Sequence, residues 1–99
     1  MPTIFGKIIT GVEGRVMVPA LGAMPGYFSS WRLVAKEDET FEFRATFAYL
    51  NQALWDEESL TKQVFIKIGK EREYRLEVAG DIELKGKQLT MKGVTLNAQ

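Results

Sequence analysis

Two clusters of carboxylates are the densest groups of reactive side chains in this sequence. They are Glu37-Asp38-Glu39 and Asp56-Glu57-Glu58. A pair of carboxyl groups can act as acid and base in glycoside hydrolysis. However, a charged hairpin tip explains the first cluster and the first turn of a helix explains the second, without any catalysis. Since neither has the alternating oxygen ligands of a calcium loop, we interpret both clusters as structural.

Nucleophilic and metal-dependent chemistry has few other candidates, because the sequence contains no histidine and no cysteine. A Ser-His-Asp triad, a thiol nucleophile or a zinc site therefore cannot form within one chain. Ser29 and Ser30 lack an activating base and are interpreted as strand residues. Residues 22–26 lack the lysine of a phosphate-binding loop, and Pro25 has no N–H to donate. The sequence predicts a protein that is not an enzyme and that uses no cofactor and no metal ion.

Length and charge narrow the remaining classes. A chain of 99 residues suits one domain, so residues 1–99 are predicted to form a single β domain. Thirteen basic and 13 acidic residues give a net charge of zero, which counts against a dedicated nucleic-acid binder and a membrane-surface partner. The start Met1-Pro2-Thr3 has no signal-peptide pattern, and the uncharged run 16–31 is too short and too broken to span a bilayer. Without cysteines for disulfides, we expect a soluble, cytoplasmic protein.

The stretch Phe41–Leu50 alternates apolar and polar residues and predicts the central strand. Four aromatic side chains occupy alternate positions, those of Phe41, Phe43, Phe47 and Tyr49. Side chains alternate across a strand, so the four rings fall on one face. Burying rings of about 150–250 Å² each would dominate the energetics of so short a chain. We therefore expect Phe43 and Phe47 in the core.

The preceding stretch, Tyr27–Ala35, predicts a partner strand that a charged turn at residues 36–40 joins to the central strand. An antiparallel hairpin across this turn brings the apolar faces of both strands together. The expected pairs are Ala35 with Phe41, Leu33 with Phe43, Trp31 with Ala45, and Tyr27 with Tyr49. The opposite face then carries Phe28, Ser30, Arg32, Val34, Glu42, Arg44, Thr46 and Ala48.

Arg32 and Arg44 are directly opposed in this register, which is unfavourable unless an acid or a bound anion lies between them. Together with Phe28 they resemble a small platform for stacking bases and binding phosphates. This face predicts an alternative function, the binding of single-stranded nucleic acid. Glu42 lies on the same face, and its ion pair with one arginine would explain the arrangement without any ligand.

Residues 19–26 form an uncharged segment with two prolines and two glycines, which predicts an irregular loop. Loops are usually polar, but this one contains Leu21 and Met24. It either caps one end of the core or contacts another chain, since contiguous exposed apolar surface marks interfaces. We favour the interface. The predicted partner-binding residues are Pro19, Leu21, Met24, Pro25 and Tyr27.

The other segments predict further strands and one short helix. Gly11–Gly14 predicts a tight turn or a glycine-kinked long strand, and Asp56–Lys62 predicts a helix of at most two turns with Asp56 as its N-cap. A phase shift at Lys92-Gly93 predicts a β-bulge. About eight strands and one helix indicate an all-β barrel or sandwich. The order of elements favours an OB-like, five-stranded Greek-key barrel with the C-terminal hairpin as an addition.

The predicted function is a non-catalytic protein-interaction or assembly module. It would self-associate or dock on a larger complex through residues 19–26, as small β modules commonly do. The alternative is an OB-like protein that binds single-stranded nucleic acid on the outer face of the 27–50 hairpin.

Overall fold

The computed structural model describes residues 8–36, 39–70 and 72–98. Within them the chain forms eight strands, a 3-10 helix at Pro19–Leu21 and one short α-helix, α1, at Gln52–Trp55. The strands are β1 (Ile8–Gly11), β2 (Gly14–Val18), β3 (Ala23–Ala35), β4 (Phe41–Leu50), β5 (Gln63–Ile68), β6 (Arg72–Val78), β7 (Ile82–Lys85) and β8 (Gln88–Ala98).

Six of the strands close into a barrel. Their order around it is β3, β2, β5, β6, β8 and β4, and the pairing of β4 with β3 completes the circle. The two extra strands pair at its sides, β1 with β3 and β7 with β8. All of these pairings are antiparallel. The predicted all-β barrel of about eight strands with one short helix is confirmed.

The C-terminal hairpin differs from the sequence-based expectation. It is predicted as an addition to a five-stranded barrel, but β8 pairs with β4 on one side and β6 on the other, and so closes the barrel. The OB-like interpretation is therefore not confirmed in its details. The predicted bulge is confirmed: the β4–β8 register shifts between Met91 and Val94, and Gly93 has a φ of 69°. Glycine adopts this left-handed conformation without strain.

β1 and β2 follow one another along β3 as two halves of a glycine-kinked long strand. At the kink, the indole N–H of Trp31 donates a hydrogen bond to the Glu13 carbonyl, with a 2.9 Å separation of Nε1 and O. A Cβ on Gly11 would collide with the Trp31 ring, and one on Gly14 would lie 2.7 Å from the Phe28 ring. The structure therefore selects the kinked strand over the tight turn, because both glycines let aromatic rings approach the backbone. The predicted strand over residues 3–10 lies partly outside the described residues.

The hairpin of β3 and β4 has the predicted register. All four expected pairs are present, Ala35 with Phe41, Leu33 with Phe43, Trp31 with Ala45 and Tyr27 with Tyr49. The inward face supplies much of the core: Phe43 and Leu33 are fully buried, and Phe47 is 2% exposed. Pairing and burial agree here because a slip by one residue would move every ring to solvent.

Two compensating irregularities interrupt this hairpin. β4 contains one extra residue, Ala48, and β3 contains one extra residue, Ser29, on either side of the pair Phe28–Phe47. Since each strand carries one extra residue, the register is the same at both ends of the hairpin. At each irregularity the inward and outward faces of that strand exchange, and Phe28 packs against Phe47 with 4.9 Å between ring centroids.

This exchange corrects three predicted side-chain positions. Phe28 is predicted on the outer face, but it is 4% exposed and belongs to the core. Tyr27 and Tyr49 are predicted on the inner face, but each is 45% exposed. The simple alternation of a strand fails at these residues, because an extra residue on a strand turns the following side chains to the other face.

The segment at residues 19–26 is more regular than predicted. Pro19–Leu21 forms a 3-10 turn that ends at Gly22, whose φ is 61°, and β3 begins at Ala23. Gly26 pairs with Val16 on one side and Leu50 on the other. A proline is excluded from a central strand only where the sheet needs the N–H that proline lacks. Pro25 lies where the register of β2 with β3 shifts, between the pairs Val16–Gly26 and Val18–Ala23, and the strand can include it there.

The predicted helix over Asp56–Lys62 is wrong: α1 is Gln52–Trp55 and ends just before Asp56, and residues 56–62 form turns and irregular structure. Asn51, not Asp56, is the N-cap: its side-chain oxygen accepts a hydrogen bond from the Leu54 N–H, with an O–N distance of 3.2 Å. Asp56 is the C-cap, and its side chain accepts a hydrogen bond from the Gln52 amide. Both residues are good N-caps by type. The helix starts at the first, directly after β4 ends.

Replacing Phe43 with alanine tests the role of the inward hairpin face. Phe43 is fully buried, and we expect Phe43→Ala to lower the free energy of unfolding by roughly 3–5 kcal/mol, because a large cavity opens in a small core. Urea denaturation followed by tryptophan fluorescence measures this change. Tyr49→Ala is the matched control, since Tyr49 lies on the same strand but is half exposed. Equal losses for the two variants would contradict the assigned faces.

Candidate functional site

The described residues contain no group of three or more acidic, histidine or cysteine side chains placed to hold a metal ion. Glu37 and Asp38 of the first carboxylate cluster lie outside the described residues. In the second cluster, Asp56 caps α1, and the Glu57 carbonyl accepts a hydrogen bond from Lys62. The Ser29 hydroxyl donates to the Thr46 carbonyl. None of these contacts assembles a nucleophile with a base.

Helices in the described part of the chain are short, and none has the length and apolar character needed to cross a membrane.

A pair of exposed tyrosines marks the outer face of the hairpin. Tyr27 on β3 and Tyr49 on β4 are cross-strand partners, and their rings stack with 5.8 Å between centroids and 27° between planes. The extra residue Ser29 on β3 turns Tyr27 outward, and the extra residue Ala48 on β4 turns Tyr49 outward. Sequence alternation assigns both to the core, so the tyrosine pair is a feature that sequence reasoning missed.

The predicted arginine pair lies further along the same face. Arg32 and Arg44 are cross-strand partners, and both are exposed. A Glu42 oxygen lies 3.5 Å from an Arg44 nitrogen, and its other oxygen lies 3.7 Å from the Lys36 ammonium. Arg32 forms no ion pair with any described residue. One carboxylate thus serves two of three neighbouring cations, which leaves this part of the face positively charged.

The arginines border a shallow groove of about 500 Å³ on the outside of the barrel. Besides the two arginines, its polar lining consists of short hydroxyl side chains and one amide. These residues are Thr10, Ser30, Thr46, Gln88 and Thr90. Hydroxyls and amides can donate hydrogen bonds to phosphate oxygens as well as to base edges. The groove therefore combines positive charge with neutral donors. Phe28, the ring predicted for this platform, is buried below the sheet and cannot stack a ligand.

An exposed apolar surface lies at the start of β3. We call Leu21, Met24 and Tyr27 the loop patch; their exposed fractions are 58%, 44% and 45%. Tyr49 extends the loop patch through its ring contact with Tyr27. Pro19 is also exposed. Pro25 does not contribute its side chain to this surface, because it is buried and its carbonyl accepts a hydrogen bond from the Asn51 N–H.

Arg15 and Phe65 continue the outer row beside the tyrosines. Arg15 on β2 is the cross-strand partner of Tyr27 on one side and of Phe65 on the other. Its guanidinium carbon lies 5.0 Å from the centroid of the Phe65 ring, and it forms an ion pair with Glu73 with a 2.6 Å separation. Sequence reasoning missed this row, because it depends on the register between strands that are distant in the chain.

A second cleft, of about 880 Å³, lies between the α1–β5 segment and strands β6 and β7. Its apolar lining includes Trp55, Leu76 and Ile82. Arg75 and Glu77 at its wall form an ion pair with a 2.9 Å separation, and the Lys62 ammonium donates hydrogen bonds to the Glu57 and Leu60 carbonyls. Three of the four charged groups that line the cleft are therefore engaged locally, and Glu58 is the fourth.

Comparison with protein-family models, with curated proteins and with solved structures found no match to this chain.

Removing the Glu42 carboxylate tests the charge balance of the groove. We expect Glu42→Gln to strengthen retention on heparin resin, because Arg44 and Lys36 lose their neutralising partner. The measurement is the salt concentration at elution. Glu77→Gln is the matched control, since it removes the same charge from the far side of the barrel. Equal shifts for both variants would show that net charge alone sets retention.

Proposed function

We propose that this protein is a non-catalytic assembly module that self-associates through the loop patch. The observation that carries the proposal is the exposure of Leu21 and Met24, at 58% and 44%. Side chains that cap the end of a barrel are buried, so this exposure favours an interface over the other explanation of an apolar segment. Contiguous exposed apolar surface is typical of interfaces. A cytoplasmic location, predicted from the sequence, is part of the proposal.

Symmetry and charge favour a second copy as the partner. In a two-fold dimer the same patch on each copy meets itself, so each residue of the loop patch contributes twice. A net charge of zero removes the long-range repulsion that keeps strongly charged proteins apart. The segment from Pro19 to Tyr27 carries no charge, so the loop patch itself adds no repulsion between like charges in such a dimer.

The size of the loop patch implies weak association. Burying one apolar side chain at the interface stabilises the dimer by about 1.5–3 kcal/mol. The loss of translational and rotational freedom of the two copies offsets several kcal/mol of the total gain. A dissociation constant of 1 μM corresponds to about 8 kcal/mol. We therefore expect a dimer that forms in the range of about 1 μM to 1 mM, as is usual for interfaces of modest area.

The double variant Leu21→Asp, Met24→Asp tests the interface. We expect the unmodified protein to show a concentration-dependent rise in mass by size-exclusion chromatography with light scattering. The double variant should stay monomeric over the same range and keep its far-ultraviolet circular dichroism and melting temperature. Its two carboxylates would be desolvated on association, which is unfavourable.

Ile82→Asp is the matched control, because Ile82 is exposed to the same extent, at 56%, but lies on β7 outside the loop patch. It should associate as the unmodified protein does. A protein that is monomeric at every concentration would overturn self-association. A double variant that unfolds would show instead that the segment supports the barrel.

A second candidate function is the binding of single-stranded nucleic acid on the outer face of the hairpin. The observation that favours it is the opposed pair Arg32 and Arg44 beside a groove lined by neutral hydrogen-bond donors. If β1 and β2 are counted as one kinked strand, β3 and β4 are the second and third strands of an OB-like order. OB-fold barrels bind single-stranded oligonucleotides on the face of their second and third strands.

Arginine substitutions test this second candidate. We expect Arg32→Ala and Arg44→Ala each to weaken binding of a fluorescent single-stranded oligonucleotide. Each should also reduce the slope of log affinity against log salt by about 0.7, the value for one phosphate contact of a single strand. Arg72→Ala is a control on β6. Absence of binding by the unmodified protein at low salt would exclude this function.

A further inference from the structure

We propose that Tyr27 and Tyr49 form a base-stacking site for single-stranded nucleic acid, and that the bound strand runs along the hairpin from the tyrosines to Arg32 and Arg44. This inference rests on the second candidate function and assigns the residues that contact the bases. Sequence reasoning places a buried ring, Phe28, in this role. The extra residue Ser29 that turns Phe28 inward also turns Tyr27 outward, and the extra residue Ala48 on β4 turns Tyr49 outward.

The tyrosine pair has the geometry of a stacking platform. The rings are nearly parallel, with 27° between planes, and each is 45% exposed. Both side chains rise from paired strands, so the backbone below them is fixed before a ligand binds. Stacking on aromatic side chains tolerates any sequence, because every base has a π face. A preformed platform loses little conformational freedom on binding.

Arg15 and Phe65 enlarge the platform on the β2 side. The guanidinium of Arg15 is planar and lies against the Phe65 ring, 5.0 Å from its centroid. Its charge is engaged by Glu73, so Arg15 offers a flat surface for stacking more than a free charge for phosphate. The row of cross-strand neighbours Tyr49, Tyr27, Arg15 and Phe65 therefore presents four planar groups on one outer surface.

The distance from the tyrosines to the arginines suits a short strand. Tyr27 and Arg32 are five positions apart on β3, which is about 16 Å at roughly 3.3 Å per residue. A stacked strand covers this distance with about five nucleotides, at roughly 3.4 Å each, and a more extended one with fewer. Ser30 and Thr46, which lie between, are cross-strand partners that line the groove. Eight nucleotides are therefore enough to occupy the tyrosines and arginines together.

The balance of charge indicates why stacking is needed. Net charge is zero; among the described residues of this face, Arg32 forms no ion pair, and Arg44 shares the Glu42 carboxylate with Lys36. Two phosphate contacts give a salt slope of only about −1.4 for a single strand. Exposed bases are available in a single strand but not in a duplex, where they are paired and stacked on one another. We therefore expect a strong preference for the single strand.

The experiment measures fluorescence anisotropy of labelled dT8 titrated with the protein at several salt concentrations. The double variant Tyr27→Ala, Tyr49→Ala should bind at least tenfold more weakly, with an unchanged salt slope. Tyr27→Phe, Tyr49→Phe keeps both rings and should bind as the unmodified protein does. Circular dichroism and melting temperature confirm that each variant is folded.

Three further probes separate the sources of affinity. An abasic strand of the same length has the phosphates without the bases, and the unmodified protein should bind it as weakly as the double alanine variant binds dT8. An rU8 strand tests whether the site distinguishes RNA from DNA. A duplex should bind no better than the abasic strand.

Each outcome addresses one part of the inference. If the double alanine variant binds dT8 as well as the unmodified protein, or if the abasic strand binds equally well, the stacking site is wrong while the arginine function survives. If the unmodified protein binds no strand at low salt, both are wrong. Tyr27 also belongs to the loop patch, so stacking and self-association compete for it, and saturating dT8 should lower the mass that light scattering records for the self-associating protein.

Discussion

The pairing of β3 with β4 is the constraint on which the rest of the structure depends. This hairpin supplies the largest fully buried side chains, Phe43 and Leu33, and its strands each pair with further strands of the barrel. Large rings on one face leave a single acceptable register, because any slip by one residue would expose them. The same register determines which side chains lie on the outer face, because the residues next to each inward ring point outward. The stability of the core and the chemistry of the surface therefore both depend on this register.

Two extra residues in this hairpin explain how a regular core coexists with an irregular surface. Ser29 and Ala48 interrupt opposite strands, and their effects on register cancel. Over this short interval Phe28 is taken into the core and the rings of Tyr27 and Tyr49 are turned out. Bulges commonly re-aim side chains in this way near functional sites. The exposed tyrosines, the loop patch and the arginine pair lie on β3, on β4 or in the segment that leads into β3.

Patterns of alternating residues and turn residues predicted the features that depend on strands close together in the sequence. The number of strands, the hairpin register, the opposed Arg32 and Arg44 and the bulge near Gly93 all follow from alternation and turn residues. The orientation of Phe28 could not be predicted, because two cancelling irregularities leave the pairing register unchanged at both ends of the hairpin. The place of β8 in the barrel and the row from Tyr27 to Phe65 depend on pairing between distant strands. One sequence carries no direct signal of that pairing.

The outer edge of β1 affects how the protein behaves at high concentration. Among the described strands, β1 pairs only with β3, and no described strand covers its other edge. Its residues, Ile8–Gly11, carry no charge, whereas β7 at the other side of the sheet contains Glu83 and Lys85. Charged residues on an edge discourage the addition of foreign strands. The β1 edge lacks this protection, which makes it the place where aggregation by strand addition would begin at high concentration.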